Sequence, residues 1–502
     1  MKAHARTSGW CSCVGSASAA RRLRVLAVFG TLGAGLLGAG CDDGPTGAGA
    51  NRYLRLAPDV AVAGVSLFQS VEVPLWVDGE ERTELSAVVV DGKAATIVVR
   101  LEPGPEFDGR EVTVALGVDR GTGVRWQETS LVPSGPSSLD RPDSLAQFEL
   151  AAEQVSGVLS IAVAVLDPLA PMVPAGTPNA ARYPADGSTR AVELRSARDP
   201  VRLVLIPIRY ARDGNEYVPD VSPEQIELYR ETLMAAYPAV AWDIAIHEEV
   251  FWDRAPSWSG FNFGALNEYV SDLKASEDDI PQSHYYSLVA PDVSFAAYCT
   301  PVCVAGESYL VTEPSASNVR VGAGIGFTGT ESAWTMVHEL GHVFGRGHSG
   351  CSVPRDDRSF PYAGGTIGVW GRDPRDGRFW PPATSDFMGY CTPQWVSDYT
   401  WNLLFERLED LAGLGAKAAG DRYRMLYVDF EEGVARWGAE TRAGRLDRAD
   451  RVAARYAGEE PGMPEELPII WQSDYRHAAI LVPSERAVDL QAVSGIAAVP
   501  VP

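Results

Sequence analysis

The sequence of 502 residues predicts a multidomain protein with an N-terminal antiparallel β-sandwich, a central α/β (α+β) domain and a small β-rich C-terminal domain. Three observations support this fold class. Apolar side chains first recur at every second position, then apolar runs alternate with helical stripes, and two strand-like segments follow near the end. The predicted organisation is a signal peptide over 1–40, a tether over 41–54, the sandwich over 55–167, a linker over 168–198, the central domain over 199–415 and the C-terminal domain over 416–502.

The start of the chain has the pattern of an export signal. Arg21, Arg22 and Arg24 precede an apolar run of small residues that ends at Cys41. The run LLGAGC resembles a bacterial lipoprotein signal, which implies cleavage before Cys41 and a lipid on its sulfur. Secretion without a lipid and a retained anchor are the alternatives. We therefore expect an exported protein, either a cell-envelope lipoprotein that touches the membrane only through Cys41 or a secreted one.

The charge balance is acidic. The chain has 43 Lys and Arg against 66 Asp and Glu, and its first forty residues hold five of the basic residues and none of the acidic ones. A mature chain with this excess of negative charge should repel nucleic acids and anionic lipid surfaces. The composition therefore predicts no nucleic-acid partner and is consistent with simple solubility.

The sandwich is predicted from segments in which every second residue is apolar. Asp-Gly pairs, which favour turns, separate the alternating segments. No cluster of catalytic residue types lies in this part, and its role is left open between spacing, substrate binding and adhesion. The alternating residues are Val65, Leu67, Val71, Val73, Leu75 and Val77, then Ile97, Val99 and Leu101, then Val112, Val114, Leu116 and Val118, then Leu159, Ile161, Val163 and Val165.

The pattern changes after a stretch rich in Pro, Ala and Gly, which we interpret as the linker. Residues 201–208 form a near-continuous apolar run, as expected for a buried strand. Ser222 and Pro223 have the types that favour the N-cap and first turn of a helix. Further strands are predicted at residues 242–246 and 285–290, further helices at residues 266–273 and 401–411, and C-terminal strands at MLYVDF and AAILVP.

The most informative stretch is HELGHVFGRGH, from His338 to His348, which holds three of the chain's seven histidines. On a helix His338 and His342 share one face, one turn apart, so both can reach a single metal ion. Glu339 stands beside them as a candidate general base. Gly345 favours a sharp exit from the helix, which would bring His348 back as a third ligand and leave a fourth position open. Thr328 and Glu331 are predicted to cap the start of this helix.

This spacing resembles that of the metzincin zinc peptidases. The resemblance covers about residues 199–415 and implies one catalytic zinc ion held by His338, His342 and His348. It also implies a Met-turn at Met388, an apolar floor beneath the ligands, and a transition-state role for Tyr390, since a Tyr two residues after the turn Met has that role in some metzincins. By the same resemblance, the glycine-rich segment 319–327 would line the cleft and pair with substrate. The nearest relatives suggested are bacterial secreted or lipoprotein peptidases, some of which act on mucin-type glycoproteins.

Four cysteines remain after those of the leader and Cys41. An even number in an oxidising compartment favours two disulfides. Cys351 follows His348 by three residues and Cys391 follows Met388 by three, so we pair these two, and Cys299 with Cys303. A metal site at Cys299 and Cys303 is the alternative for the second pair.

The predicted function is a zinc-dependent endopeptidase whose substrate is an extracellular protein or glycoprotein. One alternative is a surface-anchored binding or adhesion protein with a structural zinc site. A metal-dependent hydrolase acting on another bond is a second. The sequence does not fix the cleavage specificity or the oligomeric state.

Overall fold

The computed structural model describes residues 53–196, 199–256, 260–277, 282–353, 355–414, 420–458 and 464–498. Gly44–Pro502 clusters as one compact unit. The predicted export signal, Cys41 and the tether up to residue 52 lie outside the described residues. Among the helices that are described, none is long and apolar enough to cross a membrane.

The N-terminal part consists of antiparallel sheets whose buried faces share one core. One sheet has the order β11–β9–β6–β7 and the other contains β3–β2–β5–β8. The stretch predicted as a linker contributes three of the strands, β10 to β12, which pair with β1 and β9. The strands are β1 Tyr53–Leu54, β2 Val60–Gln69, β3 Val71–Val77, β4 Glu80–Glu81, β5 Ala95–Pro103, β6 Val112–Asp119, β7 Val124–Leu131, β8 Ala146–Leu150, β9 Leu159–Leu166, β10 Val173–Pro174, β11 Arg182–Tyr183 and β12 Arg190–Val192.

A mixed sheet forms the centre of the molecule. Four neighbouring strands run parallel in the order β15–β13–β17–β19, and the antiparallel β18 follows β19. The short β14 and β16 pair with the end of β13. The strands are β13 Val201–Arg212, β14 Asn215–Tyr217, β15 Trp242–Ile246, β16 Val250–Trp252, β17 His284–Val289, β18 Gly306–Ser308 and β19 Val321–Ile325.

Helices cover both faces of this sheet. Leu203 and Leu205 of β13 share a core with α1 and α4, whereas Val204 and Ile206 share another core with α2. This division explains the near-continuous apolar run, because alternate side chains of a strand point to opposite faces. The helices are α1 Pro223–Ala236, α2 Phe263–Ser276, α3 Phe295–Tyr298, α4 Thr330–Val343 and α5 Asp398–Ala412.

The segment between α4 and α5 ties the central part to the sandwich. Its short strands are β20 Gly371–Arg372, β21 Phe379–Trp380, β22 Ser385–Asp386 and β23 Gln394–Trp395. Gly371 pairs with Val71 of β3, so β20 extends a sheet of the sandwich. The indole nitrogen of Trp395 donates to the Ser70 carbonyl at 2.9 Å. The sandwich therefore supports the segment that follows the histidine motif.

The C-terminal residues form a curled sheet of seven strands with the order β25–β24–β28–β27–β26–β29–β30. One face encloses its own core, and the other packs against α2. The two C-terminal segments predicted as strands are confirmed as β24 and β28. The strands are β24 Asp421–Asp429, β25 Val434–Ala443, β26 Asp450–Tyr456, β27 Glu465–Trp471, β28 His477–Pro483, β29 Leu490–Val493 and β30 Ile496–Ala497.

The position of the glycine-rich strand corrects one expectation. β19, which lies within segment 319–327, is paired on both sides, with β17 and with β18. It therefore has no free edge for a substrate backbone. The other edge of the neighbouring β18 is also contacted by the C-terminal part of the chain. There the Ser473 amide donates to the Ser308 carbonyl at 2.7 Å.

Candidate active site

Helix α4 begins differently from the prediction. The Thr328 hydroxyl donates to Asp220 Oδ2 instead of capping the helix, and the N-cap residue is Gly329, with φ of 120°. Gln225 of α1 holds this turn from both sides, since its side chain accepts from the Gly329 amide at 2.8 Å and donates to the Gly329 carbonyl at 3.2 Å. The helix start is thus fixed by a neighbouring helix and not by a local capping box.

The rest of the helix follows its apolar pattern. Val337, Leu340 and Phe344 are fully buried, as predicted, which turns the opposite stripe with His338 and His342 toward the site. The helix ends at Val343, and two residues later Gly345, with φ of +83°, turns the chain and donates its amide to the His342 carbonyl at 2.7 Å. Glycine adopts this left-handed conformation without the steric penalty of a Cβ. The turn brings His348 back to the helix, as the sequence predicted.

The three histidines converge through their Nε2 atoms. His342 Nε2 lies 3.2 Å from the Nε2 atoms of both His338 and His348. Nitrogen ligands at 2.0–2.1 Å from a tetrahedral zinc ion would be about 3.3 Å apart, so the spacing fits such an ion. These residues form one of two groups of His, Cys, Asp or Glu among the described residues that could hold a metal.

The other ring nitrogens fix the tautomers. Each Nδ1 faces a backbone carbonyl: His338 that of Phe387 at 2.7 Å, His342 that of Arg346 at 2.7 Å, and His348 that of Arg355 at 3.2 Å. A carbonyl only accepts, so Nδ1 carries the proton and Nε2 keeps its lone pair for a metal. Burial lowers the pKa of His338 and of His348 to about 4, and that of His342 well below its usual value. The three rings are therefore neutral, as metal ligands must be.

Glu339 is nearly buried at the edge of this group, with 5% of its surface exposed. The Ser308 hydroxyl donates to its Oε2 at 2.6 Å. Burial, which outweighs this hydrogen bond, raises the pKa of Glu339 to about 8, and the Glu307 charge adds to the rise. Gly306 leaves the space for this carboxylate, since a Cβ there would lie 2.7 Å from Glu339 Cγ.

Met388 lies in a tight turn against α4. The Gly389 amide donates to the Asp386 carbonyl at 2.9 Å, and the Met388 amide donates to the buried Asp386 carboxylate at 2.8 Å. The Met388 sulfur packs so closely on Gly341, between the two helical histidines, that a Cβ on Gly341 would lie 2.3 Å from it. The structure therefore places Met388 directly against the helix that carries His338 and His342.

Tyr390 also lies beside the histidines. Its hydroxyl is 3.2 Å from His348 Nε2, and 54% of its surface is exposed. Its amide donates to the Cys351 carbonyl at 2.9 Å. The hydroxyl thus contacts the histidine cluster, while much of the side chain is exposed to solvent.

Both predicted cysteine pairs are within disulfide-bonding distance. The Cα atoms of Cys351 and Cys391 are 5.8 Å apart, and those of Cys299 and Cys303 are 4.6 Å apart. The first pair joins the segment after His348 to the segment after Tyr390. It therefore encloses the loop that carries the Met388 turn.

Sequence reasoning missed Gly306 and Ser308, which shape the position of Glu339. Both lie in a strand of three residues, which is too short to show a periodic pattern. It also missed a cluster of Glu307, Asp474 and His477, the second group that could hold a metal. Glu307 precedes Asp474 and His477 by more than 160 positions, and only the packing of the C-terminal sheet brings it to them.

Comparison with known families gives one match that includes this site. A profile of the family described as Peptidase M66 matches residues 312–435, about a quarter of the chain, from the segment before β19 to the start of β25. A search of curated proteins finds no match. The family match indicates a metallopeptidase, and His338, His342 and His348 are a group that could bind its metal.

Proposed function

We propose that this chain is a zinc-dependent endopeptidase of the metzincin type. The observation that carries the proposal is the convergence of three neutral Nε2 atoms at 3.2 Å spacing beside a buried carboxylate. A structural site binds zinc with four protein ligands, whereas three ligands leave a position for water or substrate. A purely structural zinc site does not require a carboxylate such as Glu339, of which 5% of the surface is exposed beside the three histidines.

Zinc would be held by His338, His342 and His348, and when bound it supplies Lewis acidity for hydrolysis near neutral pH. Glu339 acts in its carboxylate form, which a cation held by the three histidines would favour against the effect of burial. In that form it takes the proton from the attacking water and passes it to the leaving amine. Ser308 orients the Glu339 carboxylate through its hydrogen bond. The Tyr390 hydroxyl donates to the oxyanion that forms at the scissile carbonyl.

The proposed substrate is an extracellular protein or glycoprotein, and mucin-type glycoproteins are one class to test. We also propose that the protein is exported, with a lipid on Cys41 or without one. The leader sequence supports export, and the resemblance to secreted metzincins supports the substrate class. An acidic, exported peptidase would act outside the cell that makes it.

The direct test is to incubate Gly44–Pro502, the compact unit, with casein and with a mucin, with and without a chelator. Proteolysis that the chelator stops is the expected result. A protein that binds zinc but cleaves neither substrate would favour the adhesion alternative. Cleavage of only a non-peptide bond would favour the other hydrolase.

Replacing Tyr390 by Phe tests the role of the hydroxyl. We expect kcat to fall about 10- to 100-fold with KM nearly unchanged, because the hydroxyl would act on charge that develops in the transition state. The measurement is steady-state kinetics on a casein-derived peptide. Tyr399→Phe, which removes a hydroxyl bonded to Asp357, is the control. An unchanged kcat in Tyr390→Phe would show that Tyr390 lines the cleft without taking part in catalysis.

Replacing Ser308 by Ala tests the orientation of Glu339. Loss of a hydrogen bond to a charged group costs about 1.5 kcal/mol or more, so we expect kcat to fall at least about tenfold. The zinc content should not change, because Ser308 contacts none of the three ligands. Ser276→Ala, an exposed position at the end of α2, is the matched control. Equal kcat in the two variants would show that the carboxylate needs no such partner.

A further inference from the structure

A cavity of about 400 Å³ opens beside Glu339 and Tyr390. One wall belongs to the central part and the other to turns of the C-terminal sheet, after β24 and before β28. The residues that line it include six with carboxyl groups and two with basic groups. The acidic ones are Glu307, Glu339, Asp429, Glu431, Glu432 and Asp474, and the basic ones are Arg476 and His477.

Both basic groups already have acidic partners. Arg476 Nη1 lies 3.2 Å from Glu431 Oε2, and His477 Nδ1 lies 2.7 Å from Asp474 Oδ2. His477 Nε2 lies 3.5 Å from Asp429 Oδ2. Several carboxylates are therefore in excess over the cations that face the same cavity.

Glu307 is a buried carboxylate with little compensation for its charge. It is only 7% exposed, and its Oε1 is buried without a hydrogen bond. The nearest cationic atom, His477 Nδ1, is 3.4 Å away and gives its proton to Asp474. A buried carboxylate without a donor costs free energy, and a cation entering the cavity would recover it. Burial raises the pKa of Glu307 to about 7, although the nearby His477 opposes this rise.

The size of the cavity and the protonation of His477 favour an organic cation over a metal ion. Its volume of about 400 Å³ is within the range of ligand pockets and large for a bare ion. Glu307, Asp474 and His477 have donor atoms within 4.8 Å of one another. However, His477 lies between carboxylates on both of its nitrogens, and the hydrogen bond to Asp474 together with the nearby negative charge of Glu307 raises its pKa to about 11 despite burial. A protonated imidazole has no lone pair for a metal.

We propose that this pocket is a specificity subsite for a positively charged side chain, arginine or lysine, of the protein substrate beside the bond that is cut. The inference rests on the proposed peptidase function, because the pocket shares Glu339 and Tyr390 with the reacting centre. Glu307 receives the charged end of the side chain. The exposed ring of Tyr390 at the mouth contacts the incoming residue, which favours a cation as well.

The experiment has two stages. Gly44–Pro502 loaded with zinc is first given a peptide library, and the residues that flank each cleaved bond are identified by mass spectrometry. We expect Lys and Arg to be enriched at one fixed position. Two peptides that differ only there, lysine against norleucine, then measure the preference as a ratio of kcat/KM values, expected to be at least tenfold.

Glu307→Gln should lower this ratio at least fivefold. Glu466→Gln is the matched control, an exposed glutamate on the same C-terminal sheet that does not line the cavity, and it should keep the ratio. Glu432→Gln, an exposed residue at the rim, should lower the ratio about two- to threefold and serves if Glu307→Gln fails to fold.

The outcomes separate the two proposals. Cleavage without any preference for basic residues would overturn the subsite and leave the peptidase function intact. An equal loss on both peptides in Glu307→Gln would also overturn it, since Glu307 would then be structural. A second equivalent of metal that disappears in Glu307→Gln would assign the cluster to a metal instead. If no peptide is cut, the peptidase function itself fails.

Discussion

The Glu339→Gln substitution is expected to reduce kcat/KM on a casein-derived peptide by about 10³-fold or more, while zinc stays bound. General acid–base groups contribute about 10²–10⁴-fold to such reactions, and Gln is isosteric with Glu but takes no proton. The zinc content should be unchanged, because the Nε2 atoms of the ligands and their carbonyl partners are not altered. The measurement combines steady-state kinetics with the metal content of the purified variant.

The control for this variant is Glu331→Gln. Glu331 is exposed in the first turn of the same helix, so the chemical change is identical and the site is untouched. Activity near the wild-type level is expected there. If Glu339→Gln kept its activity, the proton would be taken by another group, and the assignment of Glu339 as general base would be wrong.

The His342→Ala variant is expected to bind zinc much more weakly and to lose proteolytic activity. His342 is the central one of the three proposed ligands, since its Nε2 lies 3.2 Å from the Nε2 atoms of both other histidines. Structural zinc sites with four ligands bind with roughly 10–16 kcal/mol, so the loss of one ligand should weaken binding by roughly 10²–10³-fold. Zinc titration of the metal-free protein measures this directly.

His247→Ala is the matched control. His247 lies on the surface and pairs with Glu277 at 2.7 Å, far from the motif in sequence and outside the ligand group. It should bind zinc like the wild type. Unchanged zinc affinity in His342→Ala would mean that the ion is held elsewhere, and the second acidic group of Glu307, Asp474 and His477 would be the first place to look.

Local patterns predicted the elements that carry the site. Spacing alone placed His338, His342 and Glu339 on one helix and the turn at Gly345, because these features depend on residues a few positions apart. The helical stripe of α5 and the cap at Ser222 were predicted on the same basis and are confirmed.

The expectations that were wrong depended on distant partners. Thr328 does not cap α4 because Asp220, more than a hundred residues earlier, takes its hydroxyl. Strand β19 is internal because β18 and the C-terminal sheet cover its side, and strand order in a sheet is not written in local periodicity. The acidic cavity was missed for the same reason, since six separate segments of the chain line it.

The most direct test of the central claim is stoichiometric reconstitution. Gly44–Pro502 is stripped of metal with a chelator, and casein cleavage is followed as zinc is added back. The proposed mechanism predicts that activity returns in proportion to zinc, reaches its plateau at one equivalent, and does not return in Glu339→Gln although that variant takes up the same equivalent. Full activity in the metal-free protein, or equal recovery in Glu339→Gln, would contradict a zinc peptidase built on these residues.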